Sequence, residues 1–363
     1  MLQTFEVKGY RKFDRLRLDH LKRFNFFVGD NNVGKTSLLA SVFGWACGFN
    51  LAPFFSIAVS RDYQMGQMTA YSLSDNIKTS FHEISTDADE MHFLGREEDG
   101  MTRTFRHRVR MMGNTSESNA TERLMMPGLS FIVENHQLRP MPEQVVARWQ
   151  IISEEKNRTF DIGVPMAAIP VYPPNKMARY IGLLGHQNQS DTIKIYRELK
   201  TKGRMEAFLQ DFQEVFPDVE NLESIPYPDA MSAPISLKLR SGRLLPLYAF
   251  GEGLQRWYYI LGVIVLNPGG IFCIDEVDAT LHPGAQEPFC RNLIRYAVKY
   301  DAQVFMTTHN LEFLDHFLSA ANEAGTEDFS VTTMRNDGQG RVQVRQLQGR
   351  NVFDARKYQL ELR

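Results

Sequence analysis

The order of hydrophobic and polar residues predicts strands at the start of the chain. Residues 2–21 alternate around a turn at residues 11–14, which indicates two strands joined by that turn. The unbroken apolar run at residues 24–28 indicates a buried strand, and residues 37–43 have the composition of a helix. The first part of the chain is therefore predicted as three strands followed by a helix.

The middle of the chain changes character twice. Between residues 68 and 152 the pattern predicts short strands separated by turns, with a polar loop at residues 113–122. The prolines among residues 168–174 interrupt regular structure and indicate a boundary. Apolar residues then recur at helical spacing over residues 190–216, which predicts helices.

Alternating helices and buried strands are predicted from residue 234 onwards. Apolar strands are expected at residues 271–274 and 302–306 with a helix at residues 283–300 between them, and a hairpin follows at residues 331–347. The predicted domains are residues 1–170, residues 171–233 as a mainly helical insertion, and residues 234–363. The first and last of these segments are expected to form one core that the insertion divides.

Composition narrows the class of protein. The 363 residues are 43% hydrophobic and 23% charged, as in globular proteins. A net charge of −2 excludes a globally basic nucleic-acid binder, and three cysteines without a C-x-x-C pair argue against a disulfide framework or a zinc site. The start has no signal-peptide pattern, and the apolar stretch at residues 257–266 is too short to span a membrane. A cytoplasmic protein is therefore predicted.

Residues 29–36 read Gly-Asp-Asn-Asn-Val-Gly-Lys-Thr, a complete G-x-x-x-x-G-K-[ST] phosphate-binding loop between a predicted strand and a predicted helix. We expect main-chain N–H groups to surround the phosphates, Lys35 to reach the β- and γ-phosphates, and Thr36 to bind Mg²⁺. The sequence therefore predicts binding of ATP or GTP. The predicted nucleotide-binding residues are Gly29, Asn31, Asn32, Val33, Gly34, Lys35, Thr36 and Ser37.

Two carboxylates follow the predicted strand at residues 271–274, which is the Walker B arrangement. Asp275 is predicted to bind Mg²⁺ beside Thr36, and Glu276 to act as the general base for the attacking water. His309 follows another apolar strand, and ligands gather at the carboxyl ends of parallel strands, so it is predicted to contact the γ-phosphate or that water. The predicted catalytic residues are Glu276, His309 and Lys35.

Three segments resemble the ABC-type ATPase superfamily, and within it the RecF-like and OLD-like prokaryotic ATPases. They are residues 7–13 followed by the phosphate loop, the Asp-Glu pair leading into Leu-His-Pro at residues 275–283, and Phe-Gly-Glu-Gly-Leu-Gln-Arg at residues 250–256. The resemblance covers residues 1–45 and 230–350. It implies an α/β P-loop NTPase fold of the ABC type, with a mixed central sheet, an N-terminal antiparallel β subdomain and a helical insertion.

The third segment corresponds to the signature loop of the superfamily, which completes the nucleotide site of the opposite subunit. Its residues are Gly251, Glu252 and Gly253. Glycine stands where the superfamily usually has serine, and an ordinary turn before a core helix is the alternative interpretation. Asp278 and His282 correspond to the D-loop, and the resemblance implies a head-to-tail dimer around two ATP molecules. Gln137 and Gln150 are both candidates for the Q-loop glutamine.

The resemblance also implies a role. Fewer residues follow His309 than a Toprim nuclease domain needs, and the coiled-coil arms of SMC proteins are absent. The chain therefore resembles the stand-alone ATPase subunits of antiphage systems, first the PARIS ATPase and then the Septu and retron ATPases. We expect a sensor or regulatory subunit that forms a homodimer or a higher oligomer of dimers and controls a separate effector protein, a nuclease of the Toprim type or a toxin. A phage protein or DNA is the expected trigger, and no membrane is expected.

Two alternatives stay open: a RecF-like ATPase that binds or clamps DNA, and a scaffold that hydrolyses ATP slowly. Arg106, Arg108 and Arg110 share one face of a predicted strand and could contact phosphates, although the solvated side of an antiparallel sheet is the favoured interpretation. Asp87 and Asp89 form a D-x-D pair that we interpret as solvated charge.

Overall fold

The computed structural model describes residues 1–50, 77–81, 89–111, 123–126, 129–134, 137–140, 144–154, 156–164, 173–187, 189–225, 234–338 and 341–358. The strands are β1 (Leu2–Tyr10), β2 (Phe13–Leu18), β3 (Phe24–Gly29), β4 (Asp89–Glu97), β5 (Thr102–Met111), β6 (Arg123–Met126), β7 (Leu129–Glu134), β8 (Gln137–Pro140), β9 (Gln144–Ile152), β10 (Asn157–Val164), β11 (Ala178–Ile181), β12 (Val219–Ser224), β13 (Ile235–Leu239), β14 (Leu244–Pro246), β15 (Ile271–Ile274), β16 (Gln303–Thr307), β17 (Phe329–Asn336) and β18 (Val342–Gln348). The α-helices are α1 (Lys35–Cys47), α2 (Gln189–Thr201), α3 (Met205–Val215), α4 (Glu252–Leu266), α5 (Pro283–Lys299), α6 (Leu311–Glu323) and α7 (Arg350–Lys357).

The chain divides into two units by the proximity of its Cα atoms. The first unit contains Met1–His20, Ala40–Lys176 and Asn336–Val342. The second unit contains Leu21–Leu39, Met177–Arg335 and Gln343–Arg363. The domain boundaries predicted at residues 170 and 233 stay predictions. The predicted polar loop at residues 113–122 and the D-x-D residue Asp87 lie outside the described residues.

The first unit is built on a six-stranded sheet in the order β10-β9-β5-β4-β1-β2, and all of its neighbouring strands are antiparallel. The predicted N-terminal antiparallel β subdomain is therefore confirmed. Along β5, Phe105 and His107 are buried, whereas Arg106, Arg108 and Arg110 are exposed. This alternation places the three arginines on the solvated face of the sheet, as the favoured interpretation predicted.

The second unit is built on a sheet in the order β11-β15-β16-β3-β17-β18. The pairs from β11 to β17 are parallel, and β18 follows β17 after a connection too short for a parallel return. The sheet is therefore mixed. Every residue of β3, β15 and β16 is buried, because helices cover both faces of a parallel sheet and leave no solvated side.

Helices cover this sheet, and apolar side chains fill the space between them. The helical spacing at residues 190–216 is realised as α2 and α3. The apolar stretch at residues 257–266 lies within α4, where residues 257–265 are buried. Phe317 of α6 makes edge-to-face ring contacts with Phe24 and Phe26 of β3, at centroid distances of 5.3 and 4.7 Å. No helix in the described part of the chain is long and apolar enough to cross a membrane.

The strand β11 was not expected from the sequence. Its four residues lie within the range 171–233 that was predicted to be mainly helical, and they pair in parallel with β15. Only Ile181 is buried, so the segment has neither the length nor the alternation that indicates a strand. This edge strand places Tyr180 beside the carboxyl end of β15.

Candidate active site

The phosphate loop connects β3 to α1, which is the strand–loop–helix context that the sequence predicted. Three of its residues have positive φ angles: Gly29 at 134°, Asn32 at 61° and Gly34 at 110°. A Cβ atom on Gly29 would lie 2.1 Å from the carbonyl oxygen of Met334, so only glycine fits there. A turn of this kind directs successive N–H groups to one side, where they can bind an anion at the start of α1.

Lys35 lies over the loop that precedes it. Its ammonium group donates hydrogen bonds to the carbonyl oxygens of Gly29 (2.8 Å) and Asp30 (2.6 Å), and the residue is 5% exposed. Burial lowers the pKa of Lys35, and the charges of Asp30, Asp275 and Glu276 oppose that shift. Both Walker B carboxylates therefore lie close enough to act electrostatically on the lysine.

Asp275 accepts hydrogen bonds from three hydroxyl groups. Thr36 Oγ1 lies 3.0 Å and Thr307 Oγ1 lies 2.7 Å from Asp275 Oδ1, and the Tyr180 hydroxyl lies 3.1 Å from Oδ2. The structure thus brings together two residues, Thr36 and Asp275, that the sequence assigned to one metal ion. Neither Thr307 nor Tyr180 was predicted to take part.

These residues fit a magnesium ion. Mg²⁺ binds oxygen ligands, and in nucleotide sites one or two protein side chains suffice because phosphates and water complete its coordination. The hydroxyl of Thr36 and the carboxylate of Asp275 supply such a pair. No cluster of three or more His, Cys, Asp or Glu residues within the described ranges could hold a metal ion without a substrate.

Glu276 follows Asp275 in a left-handed backbone conformation, with φ at 48°. Non-glycine residues adopt this region at a cost, so the neighbouring structure has to hold it. The N–H group of Glu276 donates to Thr307 Oγ1 at 2.7 Å, and its carbonyl oxygen accepts from Arg256 Nη2 at 2.8 Å. Both of its main-chain polar groups are therefore fixed by side chains, and the half-buried carboxylate is oriented by that backbone.

The predicted D-loop residues have structural partners within the chain. Asp278 Oδ1 accepts a hydrogen bond of 2.6 Å from Thr308 Oγ1, which ties it to the residue before His309. His282 is exposed and caps α5, because its Nδ1 atom accepts from the N–H group of Gly284 at 3.2 Å. His309 is exposed and follows the end of β16. The functional roles of these residues stay predictions.

The predicted signature loop begins α4. Gly251 is the N-cap residue, and a Cβ atom placed on it would have no neighbour within 4 Å, so this position has room for a side chain. On Gly253 a Cβ atom would lie 2.6 Å from the carbonyl oxygen of Thr280. The absence of a side chain at Gly253 thus allows the start of α4 to approach the D-loop segment of the same chain.

Three residues around this site were missed by the sequence reasoning. Thr307 is the last residue of β16. The polar residues at the end of this strand indicated a ligand site, but only His309 was assigned to it. Arg256 stands in the quoted signature segment, but arginine before a core helix has many surface uses. Tyr180 lies in a strand that the pattern did not predict. Each is identified only by its hydrogen bonds to Asp275 or Glu276.

The fold and the arrangement of loop and carboxylates define the class: the chain has the P-loop ABC ATPase fold of SMC heads. An SMC head bound to the C-terminal winged-helix domain of ScpA has a TM-score of 0.52 and 14% identity, with 97% of this chain and 99% of that chain covered. An SMC head with an extended coiled coil, bound to the C-terminal domain of ScpA derived from Pyrococcus furiosus, has a TM-score of 0.52 and 11% identity, with 99% of each chain covered.

Sequence comparisons add a family match and two relatives. Residues 167–315 match the family described as "AAA domain, putative AbiEii toxin, Type IV TA system". The "ATP/GTP phosphatase" of Helicobacter pylori is 19% identical over 345 residues, which cover 87% of each chain. The chain belongs to the same family as the uncharacterized protein MJECL11 of Methanocaldococcus jannaschii, with 32% identity over 92 residues that cover 25% of this chain and 80% of that protein.

Proposed function

We propose that this chain binds ATP and hydrolyses it to ADP and phosphate. The observation that carries the proposal is the hydrogen bond of 3.0 Å between Thr36 and Asp275. It joins the phosphate loop to the strand that ends in two carboxylates. Lys35, which feels the charges of Asp275 and Glu276, completes the group. The Helicobacter pylori relative is described as an ATP/GTP phosphatase, which supports the same reaction class.

Each residue has a defined task in this reaction. Main-chain N–H groups of the loop and Lys35 hold the β- and γ-phosphates. Thr36 and Asp275 would hold Mg²⁺, which neutralises phosphate charge when it is bound. Glu276 accepts a proton from the water that attacks the γ-phosphate, and His309 contacts that phosphate or the water.

The proposal includes a dimer around ATP. Gly251 lies at the N-terminus of α4, where N–H groups and the helix dipole favour an anion. A γ-phosphate bound by the loop of one chain and by residues 251–253 of a second chain would bridge the two. Hydrolysis would remove the bridge, so dimerisation and turnover are coupled. Asp278 and His282 would lie at the same junction.

The role that we propose is that of a cytoplasmic sensor or regulatory subunit in an antiphage defence complex. The ATPase would hold or release a separate effector, such as a Toprim-type nuclease or a toxin, when a phage protein or DNA triggers it. The words toxin and type IV TA system in the description of the matched family support a two-component arrangement.

Replacement of the proposed general base tests the chemistry. Glu276→Gln should lower turnover by roughly 10²–10⁴-fold and leave ATP binding intact, because only the proton acceptor is lost. The variant should then accumulate as an ATP-bound dimer in light scattering. Glu287→Gln is the matched control, since Glu287 lies on α5 in a partly exposed ion pair with Arg291. Turnover of Glu276→Gln equal to that of the control would contradict the proposal.

Replacement of Glu276 also separates a switch from a scaffold. The variant can be tested in a phage-challenge assay together with the natural neighbouring genes. If hydrolysis operates a switch, Glu276→Gln would either hold the system in one state or abolish protection. Unchanged protection would favour the scaffold. Co-purification of the product of an adjacent gene would support control of a separate effector.

A DNA-binding ATPase is the second candidate. Arg106 and Arg110 project from the exposed face of β5, and exposed arginines can contact phosphates. DNA-stimulated turnover that falls steeply between low and physiological salt would favour this function. The double variant Arg106→Gln/Arg110→Gln should then remove the stimulation and leave basal turnover unchanged.

A further inference from the structure

Arg256 is a fully buried cation on the second turn of α4, with 0% of its surface exposed. Its terminal nitrogens donate four hydrogen bonds, and every acceptor is a main-chain carbonyl oxygen. They are Gly182 (3.2 Å) and Leu183 (2.8 Å) for Nη1, and Asp275 (2.7 Å) and Glu276 (2.8 Å) for Nη2. Burial lowers the pKa of Arg256 to about 10, so the side chain is charged at neutral pH.

A fully buried guanidinium group is an unusual choice for a residue that only fills space in a hydrophobic core. Desolvation of a guanidinium is costly, and an apolar side chain of the same volume often supports packing equally well. The position of the four acceptors suggests a different use. Two of them belong to Asp275 and Glu276, which directly follow β15, and the other two belong to residues that directly follow β11, its parallel neighbour. Arg256 therefore spans the carboxyl edge of the sheet next to both carboxylates.

Among the four residues that Arg256 contacts, Glu276 has a left-handed backbone conformation. Its φ angle of 48° is left-handed, and its carbonyl group points to Arg256 while its N–H group points to Thr307. Loss of either partner leaves a main-chain polar group to find another orientation, which turns the carboxylate of Glu276 with it. Thr307 fixes one side of this residue and Arg256 fixes the other.

The helix α4 also contacts the chain a few residues beyond Glu276. Gly253 approaches the carbonyl oxygen of Thr280 so closely that a Cβ atom would lie 2.6 Å from it. The first two turns of α4 are thus joined to residues 275–280 at two points, by Arg256 and by Gly253. A shift of this part of α4 would therefore act on the backbone of residues 275–280 at both points.

We propose that Arg256 is a positioning residue that holds the backbone of Glu276 and makes it move as one body with residues 251–253. This inference rests on the proposed ATPase function, because it assigns Arg256 to the orientation of the proposed general base. It adds that the backbone of Glu276 is held from within the same chain by the helix that begins at Glu252. Arg256 itself touches no reacting atom.

The test compares two substitutions of Arg256 with a control on the same helix. Arg256→Lys keeps the charge, but a single ammonium cannot reach all four carbonyl groups with the geometry of the planar guanidinium. Arg256→Met fills similar space without any donor and keeps the fold measurable if the lysine variant does not fold. Tyr258→Phe removes a buried hydrogen bond of 3.1 Å to the carbonyl oxygen of Thr192, away from the carboxylates.

Turnover and nucleotide binding should separate in the Arg256 variants. Misplacement of a catalytic group by about 1 Å costs up to about a hundredfold in rate, so we expect kcat to fall by at least about tenfold. The dissociation constant of a fluorescent ATP analogue should change by less than about twofold, because the phosphate loop is untouched. Tyr258→Phe should keep the kcat of the unmodified protein, even if its melting temperature falls as much as those of the Arg256 variants. Unchanged kcat in the Arg256 variants, or equal losses in Tyr258→Phe, would overturn the proposal.

Amide hydrogen exchange tests the positioning role without any need for ATP turnover, so it can be judged separately from the proposed function. In the absence of turnover by the unmodified protein, the ATPase proposal fails, and the positioning role is then judged from the amides of residues 275–280 alone. Faster exchange there in Arg256→Lys or Arg256→Met than in Tyr258→Phe supports it. Equal exchange in all variants overturns it.

Discussion

The hydroxyl group of Thr307 donates a hydrogen bond of 2.7 Å to Asp275 Oδ1. The oxygen of that hydroxyl group also accepts a hydrogen bond of 2.7 Å from the N–H group of Glu276. One buried side chain at the end of β16 therefore orients both carboxylate residues at the end of β15. Because the two strands are parallel neighbours, their carboxyl ends meet at one edge of the sheet, and this contact follows from the topology.

Thr307→Val should impair turnover more than it impairs folding. The substitution leaves the N–H group of Glu276 without its acceptor, and we expect a loss of about 1–3 kcal/mol in unfolding free energy and about tenfold or more in kcat. Steady-state kinetics and thermal unfolding measure the two effects.

Thr332→Val on β17 is the matched control for that substitution. Thr332 is also fully buried, and its hydroxyl has no hydrogen-bond partner within the described residues. Its replacement should therefore be neutral or slightly stabilising, with unchanged kcat. An effect as large as that of Thr307→Val would contradict the specific role of the Asp275 contact.

Tyr180→Phe should weaken magnesium binding and so raise the Mg²⁺ concentration that half-maximal turnover requires. Removal of the donor to Asp275 Oδ2 frees that carboxylate to turn, and partners of metal ligands typically contribute about 10–100-fold to metal affinity. The measurement is a Mg²⁺ titration of turnover at saturating nucleotide. Tyr259→Phe breaks a comparable bond to Asp191 and should leave the titration unchanged. Identical curves for both variants would contradict the assignment of Asp275.

Gly253→Ala should destabilise the second unit by about 1–3 kcal/mol, because its methyl group would clash with the carbonyl oxygen of Thr280. Gly251→Ser should have the opposite sign or no effect, since the site is open and serine is a preferred N-cap residue. Thermal unfolding of the two variants side by side checks this prediction. A stable Gly253→Ala protein would show that α4 can retreat from Thr280.

Acidification should destabilise the first unit through His107. Burial, with a smaller contribution from the charge of His92, lowers the pKa of His107 from 6.5 to about 3, so the folded state holds a neutral ring. Trp149 donates to its Nδ1 atom at 3.2 Å, which requires that atom to be unprotonated. Above pH 6.5 both folded and unfolded states are neutral, and below it only the unfolded state takes up a proton. Stability should therefore fall as the pH falls from 6.5, by about 2 kcal/mol at pH 5.

His107→Asn provides the comparison for this effect. The asparagine oxygen can accept from Trp149 and does not titrate, so the difference in unfolding free energy between the two proteins should shrink as the pH falls. Denaturant titrations at pH 7.5 and pH 5 measure it. A difference that is constant with pH would show that His107 is not the titrating group.

The loop and the strands that carry the site were predictable because their signals are local. The eight residues of the phosphate loop form a motif that predicts a strand before it and a helix after it. The unbroken apolar runs of β3 and β15 reflect burial on both faces of a parallel sheet. The contacts of Arg256 with Gly182 and of Tyr180 with Asp275 were not predictable, because they join residues that are 74 and 95 positions apart in the chain. His282 was assigned from resemblance, although Pro283 at the first helical position also marked it as an N-cap.

Gly253 has a second explanation besides the one that the motif offers. Glycine in a signature loop suggests exposed N–H groups, whereas the structure gives a steric reason in the close approach to Thr280. The packing of α4 against Thr280 supplies that steric reason, which the sequence alone does not show. The glycine at position 251, which nothing crowds, remains the one whose replacement by serine informs on phosphate contacts.

The order of strands has a consequence for synthesis of the protein. β3 lies between β16 and β17, so both of its hydrogen-bonded neighbours are translated long after it. Until β16 and β17 have been synthesised, both edges of this apolar strand lack hydrogen-bonded neighbours. Unpaired strand edges of this kind favour aggregation of the nascent chain. We infer that nascent chains need shielding, by a chaperone or by transient contacts, until β17 emerges.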